Sequence, residues 1–139
     1  MFINRRTDYA VRMMLELAGA GRRLPSRRLG ELAEVSYPFA RSIVTDLASA
    51  GLVDARRGPG GGVALSGPAR EISLLQIVEA MEGPVALNVC INDPGYCDRS
   101  PECPAHGVWA EASTMLAQYL STQDLETLAA RTAPGSKVR

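Results

Sequence analysis

Cys90, Cys97 and Cys103 fall within fourteen residues, and the chain's single histidine, His106, follows three residues after the last of them. Three thiols and an imidazole are donors that bind iron or zinc, or that carry thiol redox chemistry. An odd number of cysteines cannot pair completely within one chain, and a reducing cytosol disfavours disulfides. Metal ligation or thiol chemistry is therefore the better account of them. The C-x6-C-x5-C spacing is wider than the short spacings of zinc knuckles. A structural zinc site is the chief rival to an iron centre, and a metal-free thiol sensor is the third reading; a zinc-stabilised protein-interaction module with no DNA role is a further function class. No second histidine, nucleotide-binding loop or catalytic triad pattern accompanies these residues, so the function expected is not enzymatic.

The rest of the chain says what such a centre would report to. Its formal net charge is zero, but the halves differ. Residues 1–70 carry eleven Arg against six Asp and Glu, giving +5, whereas residues 71–139 carry three Arg and one Lys against nine acids, giving −5. A basic first half suits a phosphate backbone, and an acidic second half suits neither nucleic acid nor an anionic membrane. Arginine supplies fourteen of the fifteen basic residues, and its planar fork favours phosphate and guanine contacts. With 139 residues, 46% hydrophobic and 22% charged, the composition is that of a globular domain with a modest core. No apolar run reaches the roughly 18 residues that a spanning helix needs. The start MFINRRTDYA lacks the apolar stretch of a signal peptide. The expectation is a cytoplasmic protein with no membrane partner.

Helical periodicity predicts five helices. The first runs from about Thr7 to Ala20, with Thr7 or Asp8 near its start and Ala10, Val11, Met14, Leu15 and Ala18 as its apolar stripe. The second spans about Ser26–Glu34, with Leu29, Leu32 and Ala33 facing inward. Ser36 as N-cap and Pro38 in the first turn mark the third, which buries Ile43, Val44 and Leu47 and ends at Gly51. These last two make a helix-turn-helix. Next, Leu52-Val53 and Val63-Leu65 flank a turn with four glycines, a hairpin bearing Arg56 and Arg57 at its shoulder. A hairpin directly after a helix-turn-helix reads as the wing of a winged helix. Ser73–Glu82 is the fourth helix, with Ile72, Leu75, Ile77, Val78 and Met81 apolar. Residues 84–103 read as a long irregular loop holding the cysteines. Pro104–Leu120 is a long helix whose apolar residues exceed one face: Val108, Ala112, Met115 and Tyr119 form one stripe, and Trp109, Leu116 and Leu120 an adjoining one. A partner helix would cover the surplus. Ser121 and Asp124 suggest a variant capping box for a short last helix to about Arg131, and residues 132–139 read as a disordered tail. The domain plan is thus residues 1–83 for DNA binding, 84–103 for the cysteine loop and 104–131 for dimerisation. The fold class is mainly α with a small β wing.

With these motifs in place the chain resembles the winged-helix repressors that carry iron–sulfur clusters, the IscR/NsrR-type regulators. The likeness runs from Arg6 to about Ala130. It is carried by TDYAVR at Thr7–Arg12, GLVDARRGPGGG at Gly51–Gly62, EISLLQIVEAMEGP at Glu71–Pro84, and the cysteine loop with its C-x2-H-x2-W ending at Cys103–Trp109. The resemblance implies a homodimer with the long C-terminal helices crossing at the two-fold axis. The cluster loop would lie against helix 1 of the other subunit. Iron–sulfur centres take thiolates, and Cys90, Cys97 and Cys103 would supply three of the four ligands usually needed. His106 matches the ligand histidine of cluster-status sensors with a [2Fe–2S] centre. Asp8 matches the acidic residue that completes a [4Fe–4S] site in some nitric-oxide sensors. His106 continues the cysteine loop directly, which favours [2Fe–2S]. Otherwise Asp8 would cap helix 1, and His106 would cap or pack its helix. The function implied is a transcriptional regulator, a repressor, sensing redox state, nitric oxide or iron–sulfur status.

By analogy with winged-helix proteins, the start of helix 3 enters the major groove of double-stranded DNA and the wing reaches the minor groove or the backbone. Tyr37, Phe39, Arg41, Ser42 and Thr45 are the exposed candidates on helix 3, with Arg56 and Arg57 on the wing. Arg57 stands at the family's wing arginine. Arg41 takes a position that is acidic in the cluster-status repressors, and Pro38 replaces a small polar residue. The operator should therefore differ from theirs, and an arginine at position 41 more naturally reads guanine. A homodimer implies a near-palindromic operator.

Overall fold

Asn4 opens the first helix, its side chain accepting a hydrogen bond from the Thr7 N–H at 2.8 Å. The computed structural model describes residues 3–131, and in it helix α1 spans Arg5–Ala20. This corrects the predicted start at Thr7 or Asp8. Thr7 is fully buried, and Asp8 lies exposed in the first turn, where a negative charge complements the positive helix end. Ala10, Met13, Met14 and Leu17 form the buried face, and Val11, Leu15 and Ala18 pack at its margin.

Helix α2 (Ser26–Ala33) buries Leu29 and Ala33. Leu32, predicted to face inward, is exposed instead. The chain turns through Glu34 in the left-handed region (φ 59°) into α3 (Tyr37–Ser49), with Ser36 at the N-cap position and Pro38 in the first turn. The Ser36 side chain makes no capping bond. Ala40, Ile43, Val44 and Leu47 are buried, and the helix stops in two bonds, Gly51 N–H to Ala48 O and Leu52 N–H to Leu47 O, both 3.0 Å. Ala50 is the C-cap, and Gly51, predicted there, sits one residue beyond at φ +76°, where glycine lacks the steric penalty of other residues.

The hairpin pairs β1 (Val53–Arg56) with β2 (Gly62–Leu65) in antiparallel register, Val53 opposite Leu65 and Arg56 opposite Gly62. Leu24 adds a bridge to Val63, with bonds of 2.9 and 2.7 Å. This tethers the wing to the segment between α1 and α2. Gly62 is obligatory at that seam: its φ is +125°, and a Cβ there would collide with the Leu24 carbonyl. Arg23 locks the same seam, Nη1 donating to the Asp54 and Gly62 carbonyls at 2.9 Å each and Nη2 to Asp54 Oδ2 at 2.5 Å.

A short 3-10 turn (Ala69–Glu71) leads into α4 (Leu74–Glu82), whose start is a complete capping box between Ser73 and Gln76. Ile72, Ile77 and Val78 are buried there. Beyond a four-residue helix α5 (Val89–Asn92), helix α6 spans Pro104–Ser121 and α7 spans Leu125–Ala130. Asp124 alone caps α7, accepting from the Thr127 N–H and hydroxyl at 2.8 Å each. Ser121, predicted to share that cap, donates to Gln118 O instead. Leu125 is completely buried, and α7 packs on α1, so the chain's last helix joins the same core as the helix-turn-helix. The predicted tail at 132–139 lies outside the described residues.

Candidate metal-binding loop and nucleic-acid interface

Val85 is buried, and Ser113 on α6 pins the irregular segment that follows it: its hydroxyl accepts from the Leu87 N–H at 2.9 Å and donates to the Trp109 carbonyl at 2.7 Å. Asn92 donates back to the Pro84 carbonyl at 3.0 Å. Between these ties the segment predicted to be wholly irregular forms a four-residue helix, α5 (Val89–Asn92), which packs on α6. Its buried Cys90 places Sγ 3.3 Å from Nδ1 of His106, in the first turn of α6. Cys103 is the residue that starts α6, and its carbonyl accepts from the His106 N–H at 3.2 Å. Cys97 belongs to a turn closed by Ser100 N–H to Cys97 O at 3.1 Å. All three cysteines are free thiols.

A thiol and an imidazole at this separation have the chemistry and proximity of two ligands of one centre. Cys97 and Cys103 are half-buried on the same segment but are not gathered onto that pair. Among the described residues no group of three or more Cys, His, Asp and Glu side chains converges closely enough to hold a metal ion. The donor types fit an iron–sulfur centre, and the geometry within one chain assembles two of them. Asp8 stands apart, paired with Arg12 one turn along α1 at 3.2 Å.

The second site lies where α2, α3 and the wing face one another. Arg41, Ser42 and Thr45 are exposed on α3. Phe39, predicted to be exposed with them, turns inward and meets Tyr9 edge-on, centroids 5.5 Å apart, with the Arg6 guanidinium 5.5 Å from its ring. Ser42 is already engaged, accepting from Arg6 at 2.9 Å, and the same guanidinium bonds Asp46 at 2.6 Å. Thr45 donates to the Arg41 carbonyl. Arg56 is bound by Asp54 at 3.0 Å, whereas Arg57 forms no ion pair among the described residues. Tyr37 is half-buried beneath two guanidinium groups, Arg27 at 4.1 Å and Arg41 at 5.7 Å from its ring centre. A groove of about 630 Å³ runs between these elements, lined by Arg27, Tyr37, Arg41, Arg56, Arg57 and the wing glycines, with no carboxylate on its walls. Arg27, Arg6 and Arg23 are missing from the residues that sequence reasoning selected. Their roles depend on partners 10 to 40 positions away, and no local pattern announces them.

A helix-turn-helix, an anchored glycine-rich wing and a cationic groove between them define a DNA-binding winged-helix regulator. The chain belongs to the Rrf2 family, described as an iron-dependent transcriptional regulator, whose profile matches residues 3–131. It is 30% identical over 122 residues to the HTH-type transcriptional regulator IscR of Photorhabdus laumondii, covering 86% of this chain and 74% of the relative. Among solved structures it is similar to CymR, the global cysteine regulator of B. subtilis, with a TM-score of 0.77 and 25% identity over 96% of this chain and 99% of that one. The oxidised form of Staphylococcus aureus CymR matches with a TM-score of 0.73 and 26% identity, over 96% and 99% of the two chains. The chain is thus a transcriptional regulator and not an enzyme. Among the described residues no helix is long and apolar enough to cross a membrane.

Proposed function

We propose that this regulator is a homodimer that binds a near-palindromic operator in double-stranded DNA and represses from it. Its affinity would be set by an iron–sulfur centre on the Cys90–His106 segment. The observation that carries the sensing assignment is the approach of Cys90 Sγ on α5 to His106 Nδ1 on α6 at 3.3 Å, with Ser113 of α6 holding the segment that leads into α5. Cys90, Cys97, Cys103 and His106 would hold the centre, with Asp8 as the alternative fourth ligand, and [2Fe–2S] is favoured over [4Fe–4S]. When bound, the centre would supply iron whose bonds to these protein ligands redox change, nitric oxide or loss of iron can break. The chain's own part is conformational. The cysteine segment packs on α6 and α6 on α4, and α4 touches both α1 and α3. Movement of the segment therefore biases the reading helix through contiguous packing.

Anaerobic purification followed by absorption spectroscopy and native mass spectrometry tests this reading. Visible bands with an iron and sulfide mass on the dimer are expected. A colourless protein carrying zinc, or carrying nothing, would sink the cluster assignment and leave the DNA-binding assignment intact. The dispersed positions of Cys97 and Cys103, and the likeness to a cysteine regulator with a solved oxidised form, favour a thiol-based regulator without a cluster as the second reading. Reversible change in operator binding on treating the metal-free protein with a disulfide oxidant would establish it.

A further inference from the structure

We infer that Arg27 on α2 contacts the DNA backbone and that Tyr37 is its positioning residue, an inference that rests on the DNA-binding reading above. Most of the basic side chains around the reading head are already committed to carboxylates. Arg6 binds Asp46, Arg23 and Arg56 share Asp54, and Arg28 reaches Glu31 at 3.5 Å. Arg27, Arg41 and Arg57 line the groove and form no ion pair among the described residues. Of these, Arg27 is the most tightly placed, its guanidinium 4.1 Å from the Tyr37 ring centre. That stacking fixes a long side chain in advance, so less rotamer entropy is lost when it meets a ligand. It neutralises nothing, because a ring face carries no net charge.

Tyr37 also carries Arg41 at 5.7 Å, so two like charges share one aromatic platform. Their repulsion is relieved by an anion. The groove walls hold no carboxylate to provide it, which points to phosphate from outside. Arg27 lies on the first helix of the helix-turn-helix, the one that crosses the backbone in this architecture, while base edges are reached from the second. The glycines of the facing wing present no side chains to keep a sugar-phosphate strand away. Arg27 from α2 and Arg57 from the wing are then two anchors that set the register in which Arg41 meets the bases.

The test is fluorescence anisotropy on the purified full chain. It uses one duplex selected by the wild-type protein from a randomised pool and one of mixed sequence, over a range of salt. Arg27→Ala removes one phosphate contact per subunit, two per dimer, which lowers the slope of log affinity against log salt by about 1.8 and, near 0.1 M salt, weakens binding roughly sixtyfold. Arg27→Ala should do this equally on both duplexes, with the selected base preferences and the melting temperature unchanged. Arg27→Lys should keep the slope. Tyr37→Leu should weaken both duplexes, and Tyr37→Phe, which retains the ring face, should not. An unchanged salt slope in Arg27→Ala overturns the inference, as does a loss confined to the selected duplex, which would make Arg27 a base reader. A wild-type chain that binds neither duplex would overturn the DNA-binding reading itself, and with it this one. Wild-type binding with an unaltered Arg27→Ala slope removes this inference alone.

Discussion

His106 and Asp8 offer a cluster two chemically different fourth ligands, and their surroundings differ as much as their donor atoms. His106 already lies against Cys90, whereas the Asp8 carboxylate is exposed and bound to Arg12. His106→Ala should therefore give a protein that is colourless or that loses its visible absorption much faster in air. His106→Cys should keep a stable chromophore at a lower reduction potential, because an added thiolate lowers it. Asp8→Ala should leave the anaerobic spectrum unchanged. The opposite pattern, an intact spectrum in His106→Ala and a lost one in Asp8→Ala, would transfer the role to the carboxylate and to a [4Fe–4S] centre. On the DNA side, Arg41→Ala should cost about 1–3 kcal/mol per half-site of the cognate operator and relax one base pair in each half if the side chain reads guanine. Equal loss on random DNA would remove it from base reading. At this scale residue type was legible in the sequence and neighbourhood was not. Cysteine spacing drew attention to the loop, but nothing in it says that Cys90 sits beside His106 while Cys97 and Cys103 stand apart. Likewise Phe39 looks like an exposed neighbour of Arg41 until the fold sets Tyr9 against it.

Among the elements, the wing depends most on a residue outside it. Arg23 satisfies the carbonyls of Asp54 and Gly62 on the two strands and holds the Asp54 carboxylate. That hydrogen bond, first, and the nearby Arg56 charge keep the Asp54 pKa below its ordinary value, although partial burial works against them. A depressed carboxylate pKa stabilises the folded state above the unfolded value, about 3.9, and the stabilisation is lost as pH falls through the lowered folded value. Arg23→Ala should thus lower stability to urea at neutral pH by about 1–3 kcal/mol from the two carbonyl hydrogen bonds alone. The gap to wild type should narrow as the solution is acidified through the carboxylate range. A gap that stays constant all the way through that range would show that the Asp54 interaction contributes nothing. The long helices and the hairpin were legible because their apolar periods and turn residues repeat over several positions. The four-residue α5 is shorter than any period that could reveal it, and the first helix begins at Arg5 because the Asn4 side chain caps it by accepting from the Thr7 N–H, which composition alone does not locate.

For the whole molecule, the long helix α6 is the element that a single chain leaves unfinished. Of its eighteen residues only Ser113 is buried, and Val108, Trp109, Met115 and Tyr119 are all at least 41% exposed. The sequence anticipated this, since two apolar stripes on one helix exceed what one core can cover. By contrast, α1, α2, α3 and α4 all contribute buried apolar side chains to one core, to which α7 returns through Leu125. A second α6 related by a two-fold axis would bury the remaining stripe and would space two reading heads for a palindromic operator. A carboxylate in the middle of such a surface must be dehydrated without a partner. Met115→Glu, at a position exposed in the single chain, should leave the fold of the monomer intact by circular dichroism. It should also convert the sedimenting species from dimer to monomer and abolish tight operator binding. Wild-type protein that sediments as a monomer at micromolar concentration would overturn the dimer. A Met115→Glu protein that stays dimeric would place the interface elsewhere on the chain.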